Sequence, residues 1–317
     1  MDRARFADAR EFLAGHLPQT RLIAAQSLGK NCKQDVYLKL ETELPTGSFK
    51  VRGALYALHV NMKRRAVAEV VASSTGNHGA AVAYAAKLLG VKARIFLPEN
   101  SNPVKKDNIE RLGAEIVEKG AIDLAGAFEA ASQYARKSGA FFLNDADDPD
   151  LPAGPATIAL EILKDVPEVE VIYVPMGDTA LIRGVAQAAK QISGKVKIVG
   201  VQSERAASYA LSWKAGQVIG TDTCDTIADG LATRTPLAAN VEAIRLLVDD
   251  VALVSERELI HAIRRLALDE EVIAEAAGAA ATAAFLQANT GDAPASVALL
   301  VTGGNVSRKV LKAAISS

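Results

Sequence analysis

The chain has 317 residues, half of them hydrophobic, which is enough for one large core or two domains. Its 36 basic residues nearly balance 37 acidic ones, for a net charge of -1, and no charge run or basic patch invites a nucleic acid or another polyanion. Cys32 and Cys224 lie far apart, form no metal-binding spacing, and are not expected to pair in a reducing compartment. The first ten residues carry charges throughout and lack the apolar core of a signal peptide; no apolar run is long enough to span a bilayer. These features point to a cytoplasmic protein, with no nucleic-acid or membrane partner.

In chain order, residues 3–16 read as an amphipathic helix offering Phe6, Phe12 and Leu13 to a core, and 17–22 as a loop. Residues 36–40 alternate as a strand does. The turn former Gly47 precedes Ser48, Phe49 and Lys50, and a helical run starts at Val51. Residues 67–72 form a short apolar strand, 73–79 a turn of small residues, and 80–89 an alanine-rich helix. Strands at 93–97, 114–117 and 140–143 alternate with helices at 103–112 and 123–138. After an acidic turn at 144–149, taken as a domain junction, come a helix at 157–163, a strand at 169–175 and a helix at 181–192. A strand at 197–201, a helix at 205–215 and a loop at 221–235 follow. Helices at 256–268 and 274–287, a strand at 296–301 and a helix to about 315 complete the chain. Strand–helix alternation predicts parallel sheets flanked by helices, an α/β fold.

Lys50 is the first residue with chemical promise. At a helix start, beside partial positive charge and apolar neighbours, its amine is expected to lose some preference for its proton and to attack a carbonyl as a Schiff-base lysine. The plainer reading is a solvated lysine opening a surface helix. The small-residue turn before residue 80 offers backbone N–H groups to an anion. There Asn77 has a plainer reading as an Asx turn capping the helix, and His78 as a surface histidine.

Taken together, Thr46-Gly-Ser-Phe-Lys50-Val-Arg-Gly-Ala54, Ser74-Thr-Gly-Asn-His-Gly79, Thr226-Ile-Ala-Asp-Gly230 and Thr302-Gly-Gly-Asn305 resemble, in order and approximate spacing, the pyridoxal-phosphate enzymes of fold type II. The resemblance is to their threonine/serine dehydratase and serine racemase branch, with its tryptophan synthase β-like fold, and covers nearly the whole chain. It implies a large cofactor-binding domain of residues 1–53 and 145–317, a small mobile domain of 54–144, and a cleft between them. It implies that Lys50 carries pyridoxal 5'-phosphate and removes the substrate α-proton. Phe49 would flank the cofactor, and Asn77 would donate to its 3'-oxygen. Ser74, Thr75, Gly76, His78 and Gly230 would surround the amino-acid substrate. Thr302 would meet the pyridine nitrogen, where a neutral hydroxyl favours elimination over long-lived carbanion chemistry; its plainer reading is a strand-end hydroxyl bonding its own turn. A homodimer is the implied assembly, and no separate regulatory domain is expected.

The chain departs from the family in places. The phosphate loop, four glycines in the dehydratases, reads Gly177, Asp178, Thr179, Ala180. Its position after a strand and before a helix suits a phosphate, and Thr179 could add a hydroxyl. A carboxylate ~4 Å from a phosphate charge would cost on the order of a few kcal/mol at a dielectric near 20. Asp178 is therefore expected to turn outward, cap the helix or pair with Arg183. Pro155 and Ala156 replace a glutamine and a glycine, and the acidic positions of the racemases' cation site read Gln202 and Ser208, with Glu204 as a substitute; no bound metal is expected.

The expected activity is a dehydratase (ammonia-lyase) acting on a β-hydroxy amino acid such as serine or threonine, giving a 2-oxo acid and ammonia. An amino-acid racemase is the alternative, with Thr75 at the second-base position of the serine racemases. A β-replacement enzyme is another, because Ser74-Thr-Gly-Asn77 is similar to threonine synthase. The third is a protein that binds ligand without turnover.

Overall fold

The computed structural model describes residues 3–316 apart from 31–33, 75, 100, 102, 119–120 and 289–293. Cys32 and Thr75 lie outside the described residues.

Ten strands form two sheets: β1 Leu22–Ala24, β2 Asp35–Leu40, β3 Glu69–Ser73, β4 Lys92–Phe96, β5 Glu115–Val117, β6 Phe141–Phe142, β7 Val171–Pro175, β8 Lys197–Ser203, β9 Asp250–Val254 and β10 Ser296–Val301. The larger sheet runs β1-β2-β10-β7-β8-β9, and the smaller β5-β4-β3-β6. Every pairing is parallel except β1 with β2. Pairs such as Ser296 with Asp35 and Val297 with Val171 put β10 at the centre of the larger sheet, and all six of its residues are buried. A strand covered on both faces reads as a continuous apolar run, as Ser296-Val-Ala-Leu-Leu-Val301 does.

Helices cover the sheets as the alternation predicts, with differences that have local causes. The helix expected from residue 157 begins at Ala153 and runs to Asp165. Pro155 lies in its first turn, where its missing N–H costs no bond. The segment 205–215 is a 3-10 turn, Glu204–Ala206, then the helix Ser208–Ala215. Asp123 caps the helix Leu124–Ser138, accepting from the Gly126 amide at 2.8 Å. Ser255 and Glu258 close a reciprocal capping box at the helix Glu256–Asp269. The helix Ala238–Leu247, β1 and β9 were not anticipated; β1 and β9 are short edge strands, with little of the buried alternation that betrays an inner strand.

Beneath the larger sheet's edge lies a buried ion cluster. Arg52 donates to Glu41 Oε2 at 2.8 Å, to Glu161 Oε1 at 2.5 Å and to Thr157 Oγ1 at 2.9 Å. Lys39 donates to Glu161 Oε2 at 2.5 Å and to the Thr20 carbonyl at 2.7 Å. Each charge has an opposite partner and further hydrogen bonds, which is the condition for tolerating ions in a core. The cluster ties the helix Lys50–Arg64 to β2 and to the helix Ala153–Asp165.

Candidate active site

The segments after β3, β6, β7 and β10, at the ends where parallel α/β sheets place ligands, carry residues 74–79, Asp145, 177–179 and 302–305. Lys50 is the first residue of its helix, with Phe49 at the cap position. The turn before it is stitched to the segment after β10. Ser48 and Gly303 form an antiparallel bridge, the Phe49 amide donates to the Thr302 carbonyl at 3.0 Å, and the Gly304 amide to the Gly47 carbonyl at 2.9 Å. Gly47 has φ +69°, which favours glycine, and a Cβ there would lie 2.6 Å from Asn305 Oδ1 and displace that side chain. Thr302 is buried beside this junction.

The Lys50 amine does not behave as the helix-start argument predicts. It donates to Asp145 Oδ2 at 2.5 Å, from a largely buried position. Burial works against its charge, but Asp145, then Asp178 and Glu275, outweigh burial, so its pKa stands above the ordinary lysine value rather than below it. The expectation left out Asp145, whose approach depends on how the loop after β6 folds back. Asp145 itself is pushed up by burial, but His78 and Lys50 pull it well below the usual carboxylate range.

Asn77 opens the helix Asn77–Leu89 from its first position, with Gly76 as the cap and no side-chain capping bond, so the Asx-cap reading fails. Instead its Nδ2 donates to Glu275 Oε1 at 2.6 Å and its Oδ1 accepts from Asn305 Nδ2 at 2.7 Å. Ser74 Oγ accepts from the Gly76 amide at 3.2 Å, shaping the turn. His78 is buried, not a surface histidine; its Nε2 bonds the Leu143 carbonyl at 2.9 Å, and its Nδ1 has no hydrogen-bond partner among the described residues and lies 3.9 Å from Asp145 Oδ2.

On the opposite side, the loop 177–179 follows β7 and leads into the helix Ala180–Ile192. Among the described residues, the amides of Gly177, Asp178 and Thr179 have no hydrogen-bond acceptor. Gly177 packs against Gly230 of the 3-10 turn Asp229–Leu231, where a Cβ would lie 2.3 Å from the Gly230 carbonyl oxygen. Thr179 adopts φ +69°, which is uncommon for a β-branched residue. Its Oγ1 accepts from Arg183 Nε at 3.1 Å and so keeps its own proton to donate.

Asp178 neither caps this helix nor pairs with Arg183. Its Oδ1 accepts from Thr233 Oγ1 at 3.0 Å. Burial raises its pKa first, and Asp145 adds to that. Thr233, on the loop after Gly230, supplies that donor. Free amides on a helix start, a hydroxyl with a proton to give and a glycine too close to its neighbour for a side chain all fit a phosphate. With Lys50 near enough for Asp178 to act on its charge, the residues present fit pyridoxal phosphate.

Asp145, Glu275 and Asn305 belong to this arrangement without having been singled out. Asp145 sits in the acidic turn taken as a junction and pocket wall, but nothing in the sequence distinguishes it from Asp147 or Asp148. Glu275 precedes an alanine helix with no motif around it. At the racemases' cation positions, Gln202 Oε1 accepts from the Ala210 amide at 2.9 Å and Ser208 donates to the Thr233 carbonyl at 2.5 Å, while Glu204 is exposed.

Residues 13–303 match the family model described as pyridoxal-phosphate dependent enzyme. An L-threonine ammonia-lyase of Thermotoga maritima is 37% identical over 301 residues, 94% of this chain and 74% of that protein. The catabolic L-threonine dehydratase TdcB of Escherichia coli K12 is 34% identical over 279 residues, 88% of this chain and 84% of that protein. Among solved structures, maize serine racemase superposes with a TM-score of 0.92 at 29% identity, covering 99% of this chain and 97% of its own. A threonine deaminase from T.th. does so with 0.90 at 32% identity, covering 97% and 99%. The chain thus belongs to the pyridoxal-phosphate dependent enzymes of fold type II, in the threonine/serine dehydratase and serine racemase branch.

Proposed function

We propose that this enzyme is an ammonia-lyase for a β-hydroxy amino acid of the size of serine or threonine, releasing a 2-oxo acid and ammonia. The observation that carries the reading is that Lys50 lies near enough to the loop 177–179 for Asp178 to act on its charge, while the amides of Gly177, Asp178 and Thr179 have no acceptor among the described residues. The relatives named for threonine deamination support the same direction. Pyridoxal phosphate, when bound, supplies the electron sink that makes loss of the α-proton feasible.

The chain's own residues do the rest. Lys50 binds the cofactor through its amine and removes the α-proton, with Phe49 beside it. The amides of residues 177–179, the Thr179 hydroxyl and the first amide of the helix at Ala180 hold the phosphate. Asp178 keeps its carboxylate on Thr233 rather than toward that anion. Asn77 donates its amide to the cofactor's phenolic oxygen, and Glu275 holds that amide in place. Thr302 presents a neutral hydroxyl to the pyridine nitrogen. Ser74, Thr75, Gly76 and His78, with Gly230 opposite, enclose the substrate carboxylate and side chain.

The reading extends to a division of labour. Residues 1–53 and 145–317 hold the cofactor, and residues 54–144, carrying the four-stranded sheet, close over the substrate to exclude water. It extends also, on the resemblance alone, to a cytoplasmic homodimer. Among the described residues no helix is long and apolar enough to cross a membrane.

The test is 2-oxo acid release over a panel of β-hydroxy amino acids of both configurations, followed by borohydride reduction and peptide mapping. The expected outcome is turnover of an L-β-hydroxy amino acid with the label on Lys50. Label on another lysine, or no 2-oxo acid from any member of the panel, overturns the reading.

A further inference from the structure

Lys50 and Asp145 reach each other from different sheets. Lys50 is held by its turn against the end of β10, whereas Asp145 follows β6 of the smaller sheet. Asp145 is the only hydrogen-bond partner of the Lys50 amine among the described residues. The environment beyond Asp145 is unusual. His78 is buried, with 4% of its surface exposed. Its Nε2 faces the Leu143 carbonyl at 2.9 Å. A carbonyl can only accept, so Nε2 carries a ring proton. Nδ1 has no hydrogen-bond partner among the described residues and lies 3.9 Å from Asp145 Oδ2.

We propose that Asp145, backed by His78 Nδ1, is the positioning residue that governs the proton on Lys50, holding the amine as an ammonium in the free protein and receiving the proton that the amine sheds when it becomes a nucleophile. The proposal rests on the reading of Lys50 as the cofactor-binding lysine. An ammonium cannot attack an aldehyde carbon, so cofactor capture requires this proton to leave. In the transfer an N–H bond of Lys50 breaks, an O–H bond forms on Asp145 Oδ2, and the two opposite charges cancel with no other reactant. Without the ammonium, Asp145 is a half-buried carboxylate without a cationic partner, and burial then favours its neutral form.

The other ionisable groups acting on Lys50 are Asp178, after β7, and Glu275, before the helix Ala276–Gln287. Asp178 is engaged by Thr233, and Glu275 by Asn77. Neither is hydrogen-bonded to the amine, so Asp145 alone is placed to receive the proton directly.

Competitive labelling with 1-fluoro-2,4-dinitrobenzene, read on the Lys50 peptide by mass spectrometry, measures the amine's titration in the full chain stripped of cofactor with hydroxylamine. In D145N the labelling midpoint is expected to fall by at least about one pH unit, equivalent to about ten times more neutral amine at a fixed pH below the midpoint. D145E is expected to restore most of the shift. A midpoint in D145N equal to that of the wild type overturns the proposal. If D145N does not fold, as judged by circular dichroism, D145S carries the same expectation. Pyridoxal phosphate capture followed by borohydride mapping on the same proteins separates the two claims: label on a different lysine sinks the role given to Lys50, whereas the labelling midpoint still decides that of Asp145.

Discussion

Gly177 and Gly230 meet backbone to backbone, so that a Cβ on Gly177 would stand 2.3 Å from the Gly230 carbonyl oxygen. This contact joins the loop after β7 to the 3-10 turn Asp229–Leu231, two segments that the resemblance assigns to the cofactor phosphate and to the substrate. The obstructing atom is main chain and cannot swing away as a side-chain tip could. G177A is therefore expected to lose roughly 1–3 kcal/mol of stability through overpacking, measured by urea unfolding of the cofactor-free protein. Cofactor affinity should fall with it, because the free amides move. An alanine variant with unchanged unfolding and unchanged affinity would show that the loop adapts.

The acidic residue in the phosphate loop gives an opposite pair of expectations. D178N keeps an acceptor for the Thr233 hydroxyl and removes a carboxylate, so cofactor affinity should stay the same or tighten. T179V keeps the β-branched shape at the left-handed position but loses the donor. It should weaken affinity by roughly 1.5–3 kcal/mol, the range for a hydrogen bond to a charged group. Equilibrium titration of the stripped protein with pyridoxal phosphate, followed by absorbance, reads both. Weaker binding in D178N would mean that the carboxylate takes part in holding the cofactor.

Arg52 makes a prediction about stability rather than binding. Its guanidinium is buried between Glu41 and Glu161, and R52M leaves two carboxylates facing each other with only Lys39 and hydroxyl groups to answer them. The expected loss is about 3–5 kcal/mol, as for a buried pair broken on one side. The double variant R52M/E41Q should recover part of it by removing one stranded charge. Denaturant unfolding of the two variants and the wild type tests this; equal stabilities would show that water reaches the cluster.

Elimination and racemisation are separated by the fate of the substrate. With Thr75 bearing a methyl as well as a hydroxyl, proton return from the second face is expected to be slow. In deuterium oxide, recovered substrate of inverted configuration should form more slowly than the 2-oxo acid. Chiral chromatography with mass detection gives both rates, and the reverse order would establish the racemase.

The sequence by itself determined the alternation of strands and helices, the strand at 296–301 and the turns at Lys50, Asn77, Gly177 and Thr302, whereas the place of that strand at the centre of its sheet came from the pairing. Each of these is a local pattern: an apolar run of strand length, a glycine where the backbone must turn, small residues at a helix start. It also pointed to the family, because the stretches 46–54, 74–79, 226–230 and 302–305 in that order are a specific combination. The tertiary structure decided what the turns do to one another. Residues 228 positions apart, Asn77 and Asn305, bond directly, and no local pattern records that. Arg183, named as a partner for Asp178, reaches Thr179 instead, while Asp178 takes Thr233, 55 positions away. The protonation of Lys50 shows the same division most plainly. A helix start argues for a lowered pKa, and that argument is local. A carboxylate brought to 2.5 Å by a loop from the other sheet reverses the sign, because Coulomb energy depends on distance in space and not on separation along the chain.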